Sequence, residues 1–141
     1  MVTVEARPYG AEMTPEERRA LLSRVYVVEP GIVFYREVPV QSVESIDLML
    51  TRLYELGSEW PTFIEVLDLS TVVRPTPAVR AVIRNWMLRL SPRMAHLCVI
   101  IEKNFVMRAV ARFVAYSMNI TQVSFFETEA EALDAARRLR G

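Results

Sequence analysis

The architecture of this chain can be inferred from one run of sequence, Phe63-Ile-Glu-Val-Leu-Asp-Leu-Ser70, which precedes a Pro-containing loop and a helical pattern. The apolar, branched residues of this run are typical of a buried parallel strand. Its polar residues Asp68 and Ser70 lie at the carboxyl end, where open α/β sheets bind their ligands. The run therefore predicts a strand, a loop and a helix, with a candidate binding site where the strand ends.

The residues before this run predict a short helix and a hairpin. Residues 1–23 are expected to form an arm with a short helix, which begins at the capping box Thr14-Pro-Glu-Glu17. Branched and aromatic residues over 24–28 and 32–38 flank the turn Glu29-Pro-Gly31. This arrangement is typical of an antiparallel β-hairpin.

Strand and helix patterns then alternate along the chain. Predicted helices cover 43–56, about 77–91, 104–119 and 129–139, and predicted strands cover 62–69, 96–101 and 122–127. With the hairpin, the order is ββαβαβαβα. It predicts an α/β fold with a mostly parallel five-stranded sheet in a single layer, right-handed crossovers and the first strand as an antiparallel edge. We expect one domain over residues 24–141.

The spacing of apolar residues predicts which helix faces are buried. Ser42 is placed to cap the helix over 43–56, and Gly57 to end it in the left-handed conformation. The residues expected on the inner faces of this helix and the next are Val43, Ile46, Leu50, Leu53, Val79, Val82, Ile83, Trp86 and Leu90. The apolar residues off these stripes are Leu48, Tyr54, Met87, Leu88, Met107 and Tyr116. Such a surplus predicts a homodimer or a bound apolar ligand, and we favour the homodimer.

The composition is typical of one intracellular globular domain. The chain has 141 residues, 52% of them hydrophobic, and Cys98 is its single cysteine, so no intrachain disulfide can form. No apolar run approaches the roughly 20 residues that a membrane-spanning helix needs, and the first residues lack a signal-peptide pattern. We expect a cytoplasmic protein without a membrane span.

The formal net charge is zero, but the charges are unevenly distributed. Residues 1–70 hold 12 acidic and 6 basic side chains, whereas residues 71–141 hold 5 acidic and 11 basic. Four arginines repeat at i, i+4 on the predicted outer faces of two helices, namely Arg80, Arg84, Arg108 and Arg112. Together they would attract phosphate or another anionic small ligand, lipid headgroups, nucleic acid or an acidic partner; otherwise they are solvated charges that pair with the acidic first half. We favour the solvated charges because the total charge is balanced, and we expect no nucleic-acid partner.

The Asp68-Leu-Ser70 strand end and the helix after it resemble the STAS domains and their SpoIIAA-like relatives, over about residues 24–140. In the anti-sigma-factor antagonists of that group, a serine at the start of this helix is phosphorylated. The corresponding residues here are Arg74-Pro-Thr-Pro77, with Thr76 in the place of the family's Asp and Pro77 in that of the serine. The resemblance implies a non-enzymatic binding or regulatory module without this phosphorylation site. The SpoIIAA-like branch is similar to the lipid-binding CRAL-TRIO fold, which implies a small apolar-ligand or lipid carrier as the alternative.

Thr76 itself has two interpretations. Its hydroxyl can cap the helix, with Pro77 at the first helical position, where a missing N–H costs nothing. Phosphate on Thr76 would instead meet a helix amino terminus beside Arg74, which is a favourable setting for an anion. We favour capping, because it explains both Thr76 and Pro77.

A less favoured interpretation is an enzyme that uses Cys98 or Asp68. Cys98, His96 and Glu65 are the residue types of a nucleophilic triad, but His96 and Cys98 lie two apart on one strand and point in parallel. Glu65, in mid-strand, is expected at a sheet edge or paired with an Arg, since a buried, unpaired carboxylate would indicate a perturbed pKa and a site. The chain has one His, one Cys and no glycine-rich phosphate loop, so no metal or cofactor is predicted.

Overall fold

A computed structural model of the chain confirms the α/β architecture. It describes residues 10, 12–72, 75–101, 109 and 122–141. The helices are α1 (Pro15–Leu22), α2 (Val43–Gly57), α3 (Pro77–Leu90) and α4 (Glu129–Arg140), with a 3-10 turn at Ser91–Arg93. The strands are β1 (Val25–Glu29), β2 (Ile32–Arg36), β3 (Phe63–Asp68), β4 (Met94–Ile100) and β5 (Val123–Phe126). Apart from Ala109, which is helical, the helix predicted over 104–119 lies outside the described residues.

The strands form one five-stranded sheet in the order β1-β2-β3-β4-β5. The pair β1–β2 is antiparallel, and the pairs β2–β3, β3–β4 and β4–β5 are parallel. This confirms the predicted edge hairpin. Its turn contains Gly31 at a φ of 87°, a left-handed conformation that glycine adopts without steric cost. None of the described helices combines the length and the apolar composition that crossing a bilayer requires.

Both faces of the sheet are covered, because alternate residues of each strand point to opposite sides. One face packs against α1, α2 and α3, and its buried strand residues include Val33, Tyr35, Phe63, Leu97 and Val99. The other face packs against α4, and its core consists of Ile32, Phe34, Ile64, Val66, Cys98, Ile100, Ala132 and Ala136. The sheet therefore separates two cores, and neighbouring strand residues lie in different ones.

The caps of α2 were predicted correctly at one end and wrongly at the other. Ser42 forms a capping box with Ser45, with 3.0 Å between each backbone nitrogen and the other hydroxyl. Gly57 is the last helical residue and does not have a left-handed φ. The backbone of Ser58, which follows it, is also right-handed. Gly57 instead allows close packing, since a Cβ there would lie 2.6 Å from the Phe63 ring. Val43, predicted on the inner face, is 39% exposed.

The buried face of α3 is rotated from the predicted one. Val79 and Leu90 are buried as expected, but Met87, predicted to lie off the inner stripe, is only 7% exposed. Val82, Ile83 and Trp86 are half-buried at the margin of the core. Positions 79, 87 and 90 lie within about 80° of one another around the helix, so they share one face that is turned away from the predicted stripe. Leu88 is 57% exposed and lies outside the core, as predicted.

Candidate functional site

The carboxyl end of β3 holds the polar residues from which the sequence predicted a site. The Asp68 side chain is nearly buried, and its Oδ1 accepts hydrogen bonds from the backbone N–H and the hydroxyl of Ser70, at 3.0 and 2.6 Å. Its Oδ2 accepts one from Arg36 Nη1 at 2.7 Å. Arg36 also forms an ion pair with Glu129 at the start of α4. Both carboxylate oxygens of Asp68 thus accept hydrogen bonds from the protein's own donors, and Asp68 links the carboxyl ends of β2 and β3.

The partner of Asp68 follows from strand register. Arg36 and Asp68 are the last residues of β2 and β3, and they are Cα partners in the parallel pair. The Arg36 guanidinium also lies over the Phe34 ring, 4.8 Å from its centroid. A parallel pairing of β2 with β3 would have indicated this ion pair, because two strands that end together bring their last side chains into contact.

Thr76 caps α3, which confirms the capping interpretation. Its extended backbone precedes Pro77, and its Oγ1 accepts a hydrogen bond from the Val79 N–H at 3.3 Å. The side chain is exposed to solvent. Arg74, predicted beside it, lies outside the described residues.

Loss of this cap gives a first testable prediction. We expect Thr76→Ala to lower the free energy of unfolding by about 0.5–2 kcal/mol, and Thr76→Asp to restore most of it, because a carboxylate can both accept the Val79 N–H and interact with the helix dipole. Urea denaturation would measure both changes. Thr71→Ala, at an exposed position outside the helices, is the matched control and should change nothing. A Thr76→Asp protein less stable than Thr76→Ala would contradict this role.

The outer face of α3 carries a row of exposed side chains at i, i+4 and i+8, which are Arg80, Arg84 and Leu88. Neither arginine forms an ion pair with any described residue. If these arginines were only solvated charges, we expected them to form ion pairs with acidic residues of the first half of the chain. No such ion pair occurs within residues 12–72. Arg108 and Arg112 lie outside the described residues, so a shared patch of all four arginines stays a prediction.

A neighbouring side of α3 joins it to α2. The Trp86 indole N–H donates to Asp47 Oδ1 at 2.9 Å. The Trp86 ring lies 6.1 Å from the Tyr54 ring and 4.8 Å from the Arg89 guanidinium carbon. Tyr54, which the sequence placed off the core, therefore belongs to the contact between the two helices.

Glu65 contradicts the expectation that it lies at an edge or pairs with an Arg. It is in β3, the central strand, with Val33 and Leu97 as its Cα partners on either side. The residue is 0% exposed, and neither carboxylate oxygen has a hydrogen-bond partner within the described part of the chain. Burial, followed by the charge of Glu37, raises the pKa of Glu65 to about 8. This is the buried, unpaired carboxylate that the sequence analysis associated with a site.

Two further buried ionisable groups, Glu37 and Tyr35, lie near Glu65. The Glu37 Oε1 accepts a hydrogen bond from the Val38 N–H at 2.9 Å. Burial raises the pKa of Glu37, and interactions with Gln41, Val38, Tyr35 and Arg24 oppose that rise.

Burial also raises the pKa of Tyr35 well above 10, with smaller contributions from the charges of Glu37 and Glu65. Although the Tyr35 hydroxyl interacts with Glu37, it has no partner at ordinary hydrogen-bond distance and angle. The sequence analysis missed Glu37 and Tyr35, and its one signal for this region was the charged residue at mid-strand.

The triad interpretation is contradicted by the two faces of the sheet. Cys98 is fully buried in the core beneath α4, whereas Glu65 points to the face covered by α2 and α3. Burial raises the pKa of the Cys98 thiol to about 11, so the thiol stays protonated at neutral pH and is a poor nucleophile. His96 Nε2 lies 2.8 Å from the Ser124 hydroxyl, and burial lowers the pKa of its imidazole.

Comparison with protein-family models, with curated proteins and with solved structures finds no match for this chain. The similarity to STAS and SpoIIAA-like domains therefore stays a prediction. In the described part of the chain, no group of three or more His, Cys, Asp or Glu side chains could hold a metal ion.

Proposed function

We propose that the protein is a non-enzymatic binding or regulatory module, and that the outer face of α3 contacts an acidic protein partner. The observation that carries this proposal is the row Arg80, Arg84 and Leu88, in which two guanidinium groups without an ion pair to any described residue precede a leucine that is 57% exposed. Arginine is enriched in protein interfaces, and an apolar side chain beside it supplies surface to bury.

The charge of this face favours an acidic partner over a second copy of the chain. A two-fold contact through the face would bring Arg84 of one copy close to Arg84 of the other, and like charges across an interface cost free energy. A contact between this face and the acidic first half of another copy would be head-to-tail and would not close a two-fold dimer. The predicted homodimer stays a proposal, and it would have to use another surface.

The enzyme and the apolar-ligand carrier are the two alternatives to a binding module. An enzyme that uses Cys98 is disfavoured by the burial and the raised pKa of the thiol, and Asp68 has its oxygens occupied by Ser70 and Arg36. A carrier of a small apolar ligand stays a proposal. Native mass spectrometry of the freshly purified protein would test it through the mass of any retained molecule.

Photo-crosslinking in the native host tests the partner surface and gives a second prediction. A photoreactive phenylalanine analogue at position 88 should form an adduct with another protein, and the same analogue at Leu139, an equally apolar residue that is 53% exposed on α4, should not. An adduct with a second copy, or identical adducts at both positions, would contradict the proposal.

The crosslinked segment would then be titrated against purified variants. We expect Arg84→Glu and Leu88→Glu each to weaken binding at least about tenfold, and the affinity to fall with added salt, because exposed charges are screened beyond roughly 8 Å at physiological ionic strength. Arg18→Glu, at an exposed position on α1, is the matched charge reversal and should bind as the wild type does. A segment without acidic residues would contradict the stated chemistry.

A further inference from the structure

A group of polar side chains lies inside the apolar core between the sheet and the helices α2 and α3. We call Glu37, Glu65, Tyr35 and Gln41 the acidic cluster. Glu65 and Tyr35 point to the same face of the sheet, since Val33, the Cα partner of Glu65, lies two residues before Tyr35 in β2. Glu37, Glu65 and Tyr35 are all at most 3% exposed, and Gln41 is half-buried.

The oxygens of this cluster lack the hydrogen bonds that buried polar atoms normally make. The unpartnered atoms are both carboxylate oxygens of Glu65, the hydroxyl of Tyr35 and the amide oxygen of Gln41. In the described part of the chain, Arg93 Nε is the one other buried side-chain nitrogen or oxygen without a hydrogen-bond partner. A buried oxygen without a partner costs roughly 1–3 kcal/mol, so four in one place indicate a group that binds there.

The described residues compensate the charge of the cluster only in part. Arg24 is the cation whose charge acts on Glu37, but its guanidinium donates to the main-chain oxygens of Arg36 and Glu37, at 2.8 and 2.9 Å. No described basic side chain forms an ion pair with either carboxylate.

We propose that the acidic cluster binds a compact cation through the unpartnered oxygens of Glu65, Tyr35 and Gln41, with Glu37 as the second carboxylate. Carboxylate, amide and phenol oxygens are the donors that hard metal ions prefer, and the same oxygens accept the N–H groups of an ammonium ion. Two carboxylates supply the charge, and the other two donors are neutral. This inference is independent of the outer face of α3, which lies on the opposite side of that helix.

Calorimetric titration of the chelator-treated protein tests the proposal with four separate probes, Mg²⁺, Ca²⁺, Mn²⁺ and methylammonium. We expect at least one probe to bind, at about one ion per chain. Its affinity should rise with pH, because a carboxylate binds a cation in its deprotonated form. Binding of metal ions alone assigns a metal site, and binding of methylammonium alone assigns an ammonium site.

Variants separate the cluster from general charge. Glu65→Gln and Glu37→Gln should each weaken binding of the responding cation at least about tenfold. Glu55→Gln, which removes an exposed carboxylate from α2, should leave binding unchanged, and circular dichroism would verify that each variant is folded. The proposal is overturned if no probe binds, if Glu65→Gln binds as the wild type does, or if Glu55→Gln loses as much affinity as Glu65→Gln.

Discussion

Replacing Glu65 with Gln is expected to raise the free energy of unfolding at pH 7 by roughly 3 kcal/mol. In the folded protein Glu65 is buried in the central strand, and its pKa rises from 4.5 to about 8. At pH 7 Glu65 is therefore ionised in the unfolded chain and protonated in the folded chain. Folding must take up a proton, which costs about 1.4 kcal/mol for each pH unit above 4.5. Gln has nearly the same shape and needs no proton.

The difference in stability between the wild type and Glu65→Gln should depend on pH. Because the folded-state pKa of Glu65 lies above the unfolded value, its contribution to stability is fully present below about pH 4.5 and is lost as the pH rises to about 8. Glu65→Gln should remove this decline, so that the two proteins differ most above pH 8 and least near pH 4. Chemical denaturation across that range would measure it. Glu55→Gln is the exposed control, and a Glu65→Gln protein less stable than the wild type at pH 7 would contradict the burial of a protonated carboxyl.

Replacing Asp68 with Ala is expected to lower the free energy of unfolding by about 2–3 kcal/mol. The change removes both hydrogen bonds to Ser70 and the ion pair with Arg36. Hydrogen bonds to a charged group contribute roughly 1.5–3 kcal/mol, but Arg36 is half-exposed and regains water, which limits the loss. Urea denaturation followed by tryptophan fluorescence would measure the change.

Ser70→Ala provides the comparison for this variant. It removes one of the three contacts and should cost about 1 kcal/mol, while Asp68→Asn should fall between the two because it keeps the side-chain shape without the charge. Equal losses for Asp68→Ala and Ser70→Ala would show that the contact with Arg36 adds nothing to stability.

The order and type of the described elements were predictable because they depend on local patterns. The hairpin turn at Gly31, the cap at Thr76 and the apolar run of β3 each involve residues close in sequence. The antiparallel edge strand and the parallel pairing of the other strands followed from chain connectivity, since strands that alternate with helices are joined by crossovers. The order of the strands in the sheet was not predicted. The predicted boundaries agree less closely, and β4 begins at Met94 and not at residue 96.

The packing of the helices was less predictable, because apolar spacing defines a stripe but not its exact rotation against the sheet. Met87 is buried and Val43 is exposed for this reason. Gly57 was interpreted from its type alone, whereas its role depends on Phe63, which reaches it only after the strand docks. The sequence also located Asp68 and Ser70 at a strand end, but their occupation by Arg36 depends on strand register.

Local interactions and connectivity alone account for the strand–helix order, the amino-terminal helix caps and the edge hairpin of this chain. Tertiary packing decides the environment of each ionisable group, because burial and nearby charge depend on residues that are distant in sequence. Glu65 shows the difference. Its position in mid-strand is visible in the sequence, but its pKa of about 8 arises only when α2 and α3 exclude water and β2 brings Glu37 close. The residues most suggestive of binding in this protein are therefore those whose chemistry the fold itself creates.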